Sequence, residues 1–174
     1  HSAGPTYADI EYSYISDCGS YKYTLRHVEF PQNDENRTYY TLSLEFLEDL
    51  SIKDVKKNFT LFSFDGRSES FDMMSYTNEK GEAIRKDIDK TKTFEEIINI
   101  GKKHPFFSYY GLNNKDTAIM NFAYIMKDYN IQINGKEWNG DFVLRNRFDG
   151  GLNYGEISLN EEDITFKKGD HINI

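Results

Sequence analysis

Apolar and polar positions alternate most clearly in Thr-Tyr-Tyr-Thr-Leu-Ser-Leu-Glu-Phe-Leu-Glu, residues 38–48, where Tyr40, Leu42, Leu44 and Phe46 interleave with Tyr39, Thr41, Ser43 and Glu45. A period of two puts the four apolar side chains on one face of a pleated strand; a helix would scatter them round its circumference. The enrichment in Tyr, Thr, Leu and Phe suits a half-buried pleated surface. The segment predicts a central strand of an antiparallel sheet, around which the rest is organised. Residues 7–15 alternate more loosely, and the turn Ser16-Asp17-Cys18-Gly19-Ser20 leads into a second strand over 21–30. There Tyr21, Tyr23 and Leu25 share one phase and Val28 and Phe30 the other, which predicts a bulge near Arg26 and His27. Residues 21–48 read as a hairpin across the polar connection 31–36.

Further along, Asn58-Phe-Thr-Leu-Phe-Ser-Phe64 is apolar in both phases and predicts a buried strand closed by Asp65-Gly66, with 69–76 returning beside it. The centre changes character. Thr93-Phe94-Glu95-Glu96 fits a capping box, Phe94, Ile97 and Ile98 fall on one helical face, and Lys102-Lys103 precede Pro105, so the pattern predicts a short amphipathic helix. Residues 117–127, opened by Asp116, satisfy both periods, since Ile119, Phe122, Ala123 and Met126 fit a helix and Met120, Phe122, Tyr124 and Met126 a strand. Ala and Met tip that segment to helix. Asn134-Gly135 between Ile131-Gln-Ile and Lys-Glu-Trp138 signals a hairpin, and strands follow over 142–148, 152–159 and 163–167. Hairpin-length connections throughout predict a mainly β, α+β fold: an antiparallel sheet or β-sandwich, with one or two short helices inserted around 93–127. The expected organisation is a single globular domain, 1–174, with residues 1–6 not assigned to it.

The strand pairs ending in Phe59-Thr-Leu-Phe-Ser-Phe-Asp-Gly66 resemble the immunoglobulin-like modules of exported bacterial proteins over residues 20–76. The resemblance implies a sandwich, rests on no specific motif and does not extend to the helical insert, so no family is assigned.

Composition adds constraints on partners. The 174 residues carry 29 acidic and 21 basic side chains, a formal charge of −8, with no basic stripe interleaved with aromatics. Binding a phosphate backbone would begin from repulsion, so nucleic acid is not an expected partner. No apolar run reaches the roughly 20 residues of a membrane span. The chain begins with neither Met nor a charged-then-apolar leader, which favours an extracytoplasmic location with a processed N-terminus over a cytoplasmic one. Cys18 has no second cysteine to pair with, and the sequons at Asn36 and Asn58 matter only in a secretory pathway.

Aromatic residues make up 16% of the chain, more than a core of this size requires, so some rings should reach the surface. Phe106, Phe107, Tyr109 and Tyr110, between Pro105 and Gly111, together with Trp138, are the candidate binding residues. The competing reading is that the run lids the core. Catalytic signatures are absent: there is no glycine-rich phosphate loop, nucleophile elbow or His-Glu-x-x-His. The carboxylates near Asp34 and Glu35, at Asp149 and at Glu161, Glu162 and Asp163 follow no calcium-loop spacing, and neither metal nor cofactor is expected. Glu137 beside Trp138, with Asp141, is the one pair with a conceivable glycosidase role. The leading expectation is therefore a non-enzymatic binding or accessory module that recognises a protein or carbohydrate through exposed aromatics. The alternatives are an acidic immunity or antitoxin-type inhibitor of a basic protein, and a carbohydrate-active hydrolase.

Overall fold

A computed structural model of the protein describes residues 2–4, 7–30, 38–67, 71–112, 118–149 and 152–174. Its first strands are β1 (Ser2–Gly4), β2 (Tyr7–Ile15), β3 (Tyr21–Glu29), β4 (Thr38–Phe46) and β5 (Leu50–Ile52), followed by one turn of helix, α1 (Val55–Asn58). Then come β6 (Phe62–Arg67), β7 (Met73–Thr77), β8 (Ala83–Asp87), β9 (Phe94–Ile100), β10 (Phe106–Leu112) and β11 (Ala118–Ile125). The last are β12 (Asn130–Ile133), β13 (Lys136–Glu137), β14 (Phe142–Asp149), β15 (Leu152–Leu159), β16 (Ile164–Phe166) and β17 (His171–Asn173). The fold is mainly β and antiparallel, as the alternation predicts. The chain forms two compact units.

The first unit comprises residues 1–51, 128–138 and 165–174. Its sheet runs β1-β2-β3-β4-β17-β12-β13, so the organising strand β4 lies at the centre, between β3 and β17. Leu42, Leu44 and Phe46 are buried as the period of two requires. Ile172 pairs with Leu44, and Ile131 with Ile172, which carries one buried apolar row across three strands. The Phe46 ring stacks on Phe166 at 3.9 Å. The Asn134-Gly135 hairpin forms with positive φ at both residues, and the buried Asp170 carboxylate accepts both of their N–H groups, at 2.7 and 2.9 Å.

The second unit comprises residues 52–127 and 139–164. Two four-stranded sheets, β11-β10-β7-β8 and β6-β15-β14-β9, meet face to face as a sandwich. Rings hold them together: Phe64 stacks on Phe122 at 3.9 Å, and Phe62 on Tyr124 at 4.1 Å. The buried polar groups form a chain. The Tyr109 hydroxyl donates to Asn146 Oδ1 at 2.8 Å, Asn146 Nδ2 donates to Glu96 Oε1 at 2.8 Å, and the other Glu96 oxygen meets Lys86 Nζ. Gly155 makes room for this arrangement, because a Cβ there would lie 2.9 Å from Tyr109 Cε2 and 3.2 Å from Phe107 Cε2. Both rings are fully buried and cannot swing aside. Gly155→Ala is expected to cost about 1–3 kcal/mol, seen as a lower thermal midpoint; an unchanged midpoint would show that the sheets part freely.

Three expectations are corrected. The helix expected at 93–103 is the strand β9, whose residues from Phe94 to Ile100 pair with β14 from Phe148 to Phe142. Phe94, Glu96, Ile98 and Ile100 form its inward row; the inward carboxylate of Glu96 hid the alternation and completed an accidental capping box. The helix expected at 117–127 is β11, paired with β10, so cross-strand pairing outweighs the helical preference of Ala and Met. The bulge at Arg26 and His27 does not form: β3 keeps an unbroken register from Tyr21 to Glu29 against β4. His27 occupies the apolar face and Val28 the polar one, which imitated a phase change. Among the described residues the single turn of helix is α1, in a stretch whose pattern favours no element. Asp34, Glu35 and Asn36 of the polar connection, and Asp116 and Thr117 ahead of β11, lie outside the described residues.

Candidate functional site

The expected aromatic surface at 106–110 is corrected in its geometry. On β10 the alternation turns Phe107 and Tyr109 into the sandwich, where neither has any exposed surface, and leaves Phe106 and Tyr110 half-buried. Tyr110 lies under the Arg85 guanidinium, 5.5 Å from the ring centroid. Trp138, in the first unit, is also buried, and its backbone N–H donates to Ile131 O at 2.8 Å. The run 106–110 therefore presents no platform of four exposed rings, and Trp138 is covered within its own unit. For the glycosidase pair, Glu137 is exposed on β13, while Asp141 Oδ1 accepts the Lys102 backbone N–H at 2.9 Å. Asp141 serves a turn.

Exposed rings gather instead on β2 to β4. Directly opposed residues share a face, so Tyr14, Tyr23 and Leu44 form one row, Tyr12, Leu25 and Leu42 the next, and Ile10, His27 and Tyr40 the third. The β4 end of the first two rows is buried, whereas Tyr12 is 45% exposed, Tyr14 53% and Tyr40 41%, with Ile10 exposed beside them. Cross-strand pairs on the reverse face hold the register that keeps the rings together. Arg26 grips Asp9 through two hydrogen bonds of 2.8 and 2.7 Å, and Ser13 bonds Thr24 at 2.9 Å. The guanidinium also holds the Asp9 carboxyl below the usual carboxylate range.

The rings are ordered by one another. Tyr14 stacks on Tyr23 with centroids 5.0 Å apart, and burial pushes the Tyr23 phenol above its ordinary pKa. His27 sits edge-on between Tyr12 and Tyr40, at 5.6 and 5.9 Å. Its Nδ1 lies 3.1 Å from the Tyr12 hydroxyl, and its Nε2 lies 4.0 Å from Glu29 Oε1. A carboxylate, imidazole and hydroxyl in that order suggest a hydrolytic relay. The 4.0 Å gap exceeds hydrogen-bond range, so Glu29 does not orient the imidazole as a triad acid would. The arrangement is instead suited to contact: apolar ring bodies with hydroxyl tips, fixed before any ligand arrives.

Other reactive groups stand apart from this surface. Cys18 is exposed in its turn, where hydrogen bonds from Ser16 and Ser20 lower its thiol to about 7. Among the described residues no cluster of His, Cys, Asp and Glu is arranged to hold a metal ion, and no helix is long and apolar enough to cross a membrane. Sequence reasoning recognised β2 as a strand but missed its surface. The available signal was Ile10, Tyr12 and Tyr14 at a spacing of two in β2. No protein-family model matches this chain, and neither a curated protein nor a solved structure matches it.

Proposed function

We propose that the protein is a non-enzymatic binding module that recognises a protein or a carbohydrate through the exposed tyrosines of its first unit. The observation that carries this is the exposure of Tyr12, Tyr14 and Tyr40 on one sheet face, two of them braced by His27. Tyrosine combines a large apolar body with a hydrogen-bonding tip, so its desolvation favours association and its hydroxyl adds direction. Rings already packed against neighbours lose little further freedom on binding.

Arrays of oligosaccharides and of peptides, probed with the natural chain and with Tyr12→Ser and Tyr14→Ser, test the reading. Binding to one array is expected, and each substitution should weaken it more than tenfold while costing the fold about 1 kcal/mol. No binding to either array, or binding that survives both substitutions, would refute the proposal.

A further inference from the structure

We infer that Asn139 is a site of spontaneous deamidation activated by the Lys102 ammonium, and that the chain's other Asn-Gly pair, Asn134-Gly135, is held unreactive by its fold. The inference is independent of the tyrosine surface. Water is the only co-reactant. The deprotonated backbone nitrogen of the glycine attacks the preceding Asn Cγ, a C–N bond forms, and the side-chain amide nitrogen takes a proton from water and leaves as ammonia. Water then opens the resulting succinimide to aspartate or isoaspartate. Glycine favours the first step because it has no Cβ to crowd the approach. Two Asn-Gly pairs occur in the sequence, and both asparagines are exposed, so access to water does not separate them.

Their hydrogen bonds and nearby charges do separate them. The turn of the β12–β13 hairpin fixes Asn134 and Gly135 at positive φ, 54° and 70°. The Gly135 N–H, which would have to lose its proton, donates to Asp170 Oδ1 at 2.9 Å, and the Asn134 N–H donates to Oδ2 at 2.7 Å. Asp170 is buried, so its negative charge acts at close range with little solvent between, and it holds that proton in place. Asn139-Gly140 lies outside the strands, between β13 and β14, and there the nearby charge has the opposite sign. Lys102 Nζ donates at 2.7 Å to Asn139 O, the carbonyl of the same peptide bond whose nitrogen must attack. A cation on that oxygen draws electron density out of the amide, so the Gly140 N–H gives up its proton more readily. Among the described residues nothing binds the Gly140 N–H or the Asn139 side-chain amide, so both reacting groups are at liberty to meet. An isoaspartyl product runs the backbone through the former Asn139 side chain, directly after Trp138, where the chain passes from the first unit to the second.

The test incubates the full chain in mildly alkaline buffer and follows both sites by peptide mass mapping, with aspartyl and isoaspartyl products separated by chromatography. In the folded protein Asn139 should convert more than tenfold faster than Asn134, whose reaction must wait for its hairpin to open. In guanidinium chloride, where the Asp170 and Lys102 contacts are both lost, the two sites should react at similar rates. Lys102→Met keeps the backbone N–H that Asp141 accepts, and should slow Asn139 severalfold while leaving Asn134 unchanged. Lys102→Arg keeps the cation and should restore most of the rate. Equal rates in the folded protein, or faster conversion of Asn134, would overturn the inference. A difference between the sites that persists in denaturant would overturn it as well, because local sequence rather than the fold would then decide. An Asn139 rate unchanged in Lys102→Met, or slowed equally in Lys102→Arg, overturns the activation by Lys102.

Discussion

Leu44→Asp is expected to destabilise the first unit by about 4 kcal/mol or more, while the adjacent Ser43→Asp costs about 1 kcal/mol. Leu44 is 5% exposed at the centre of the sheet, paired on one side with Tyr23 and on the other with Ile172. The substitution both removes packed methyl groups and places a carboxylate in a row, Tyr14, Tyr23, Leu44, Ile172 and Ile131, that holds no cation. Ser43 turns to the other face, where its hydroxyl donates to Asn173 Oδ1 at 2.8 Å. An aspartate there keeps access to solvent and loses one hydrogen bond that a rotation of the Asn173 amide restores. Trp138 is the chain's one tryptophan and lies in the same unit, so its fluorescence in a urea titration reports this unit. Equal shifts for the two variants would mean that the facing of β4 is wrong.

How much of the fold is legible depends on where polar residues fall in the inward rows. β4 reads cleanly because its buried residues Leu42, Leu44 and Phe46 are all apolar, and the 134–135 hairpin reads cleanly because its two residues tolerate positive φ. β9 fails at Glu96, which points into the sandwich to reach Asn146 and Lys86, partners fifty residues downstream and ten upstream. Nothing local announces such a carboxylate as an inward residue. β3 misleads in the same way, since His27 stands on the apolar face between two tyrosines brought from β2 and β4.

The surface was harder to read than the fold for a related reason. Whether a ring is buried is decided by what covers its sheet face, and local sequence does not contain that information. Phe107 and Tyr109 on β10 alternate as Tyr12 and Tyr14 do on β2, yet β10 lies inside its sheet under a second sheet and β2 lies near an edge. The proline, the glycine and four neighbouring rings made residues 106–110 conspicuous. Tyr12, Tyr14, Tyr23 and Tyr40 are spread across three strands and become a patch only through register.

The interior role of Tyr109 makes the second large prediction: Tyr109→Ala should cost the sandwich about 4 kcal/mol, and Tyr110→Ser about 1 kcal/mol. Tyr109 fills the space opposite Gly155 and contacts Phe64, Phe71 and Phe107, so truncation leaves a cavity whose walls belong to two sheets. Tyr110 is half-buried and loses mainly its contact with Arg85. Tyr109→Phe separates the ring from its hydroxyl: the ring stays, but buried Asn146 loses the donor to its Oδ1, for about 1–3 kcal/mol. Burial, with Glu96 adding its charge, raises the Tyr109 phenol well above its ordinary value of 10. A tyrosine raised on folding contributes stability that is complete below the unfolded pKa and is lost as pH rises above it. The natural chain should therefore weaken more steeply than Tyr109→Phe as pH climbs past about 10, read from exchange of the β10 and β14 amides in the two proteins. Parallel pH profiles would show that the phenol ionises as freely in the folded sandwich as in the unfolded chain, and would remove Tyr109 from its core.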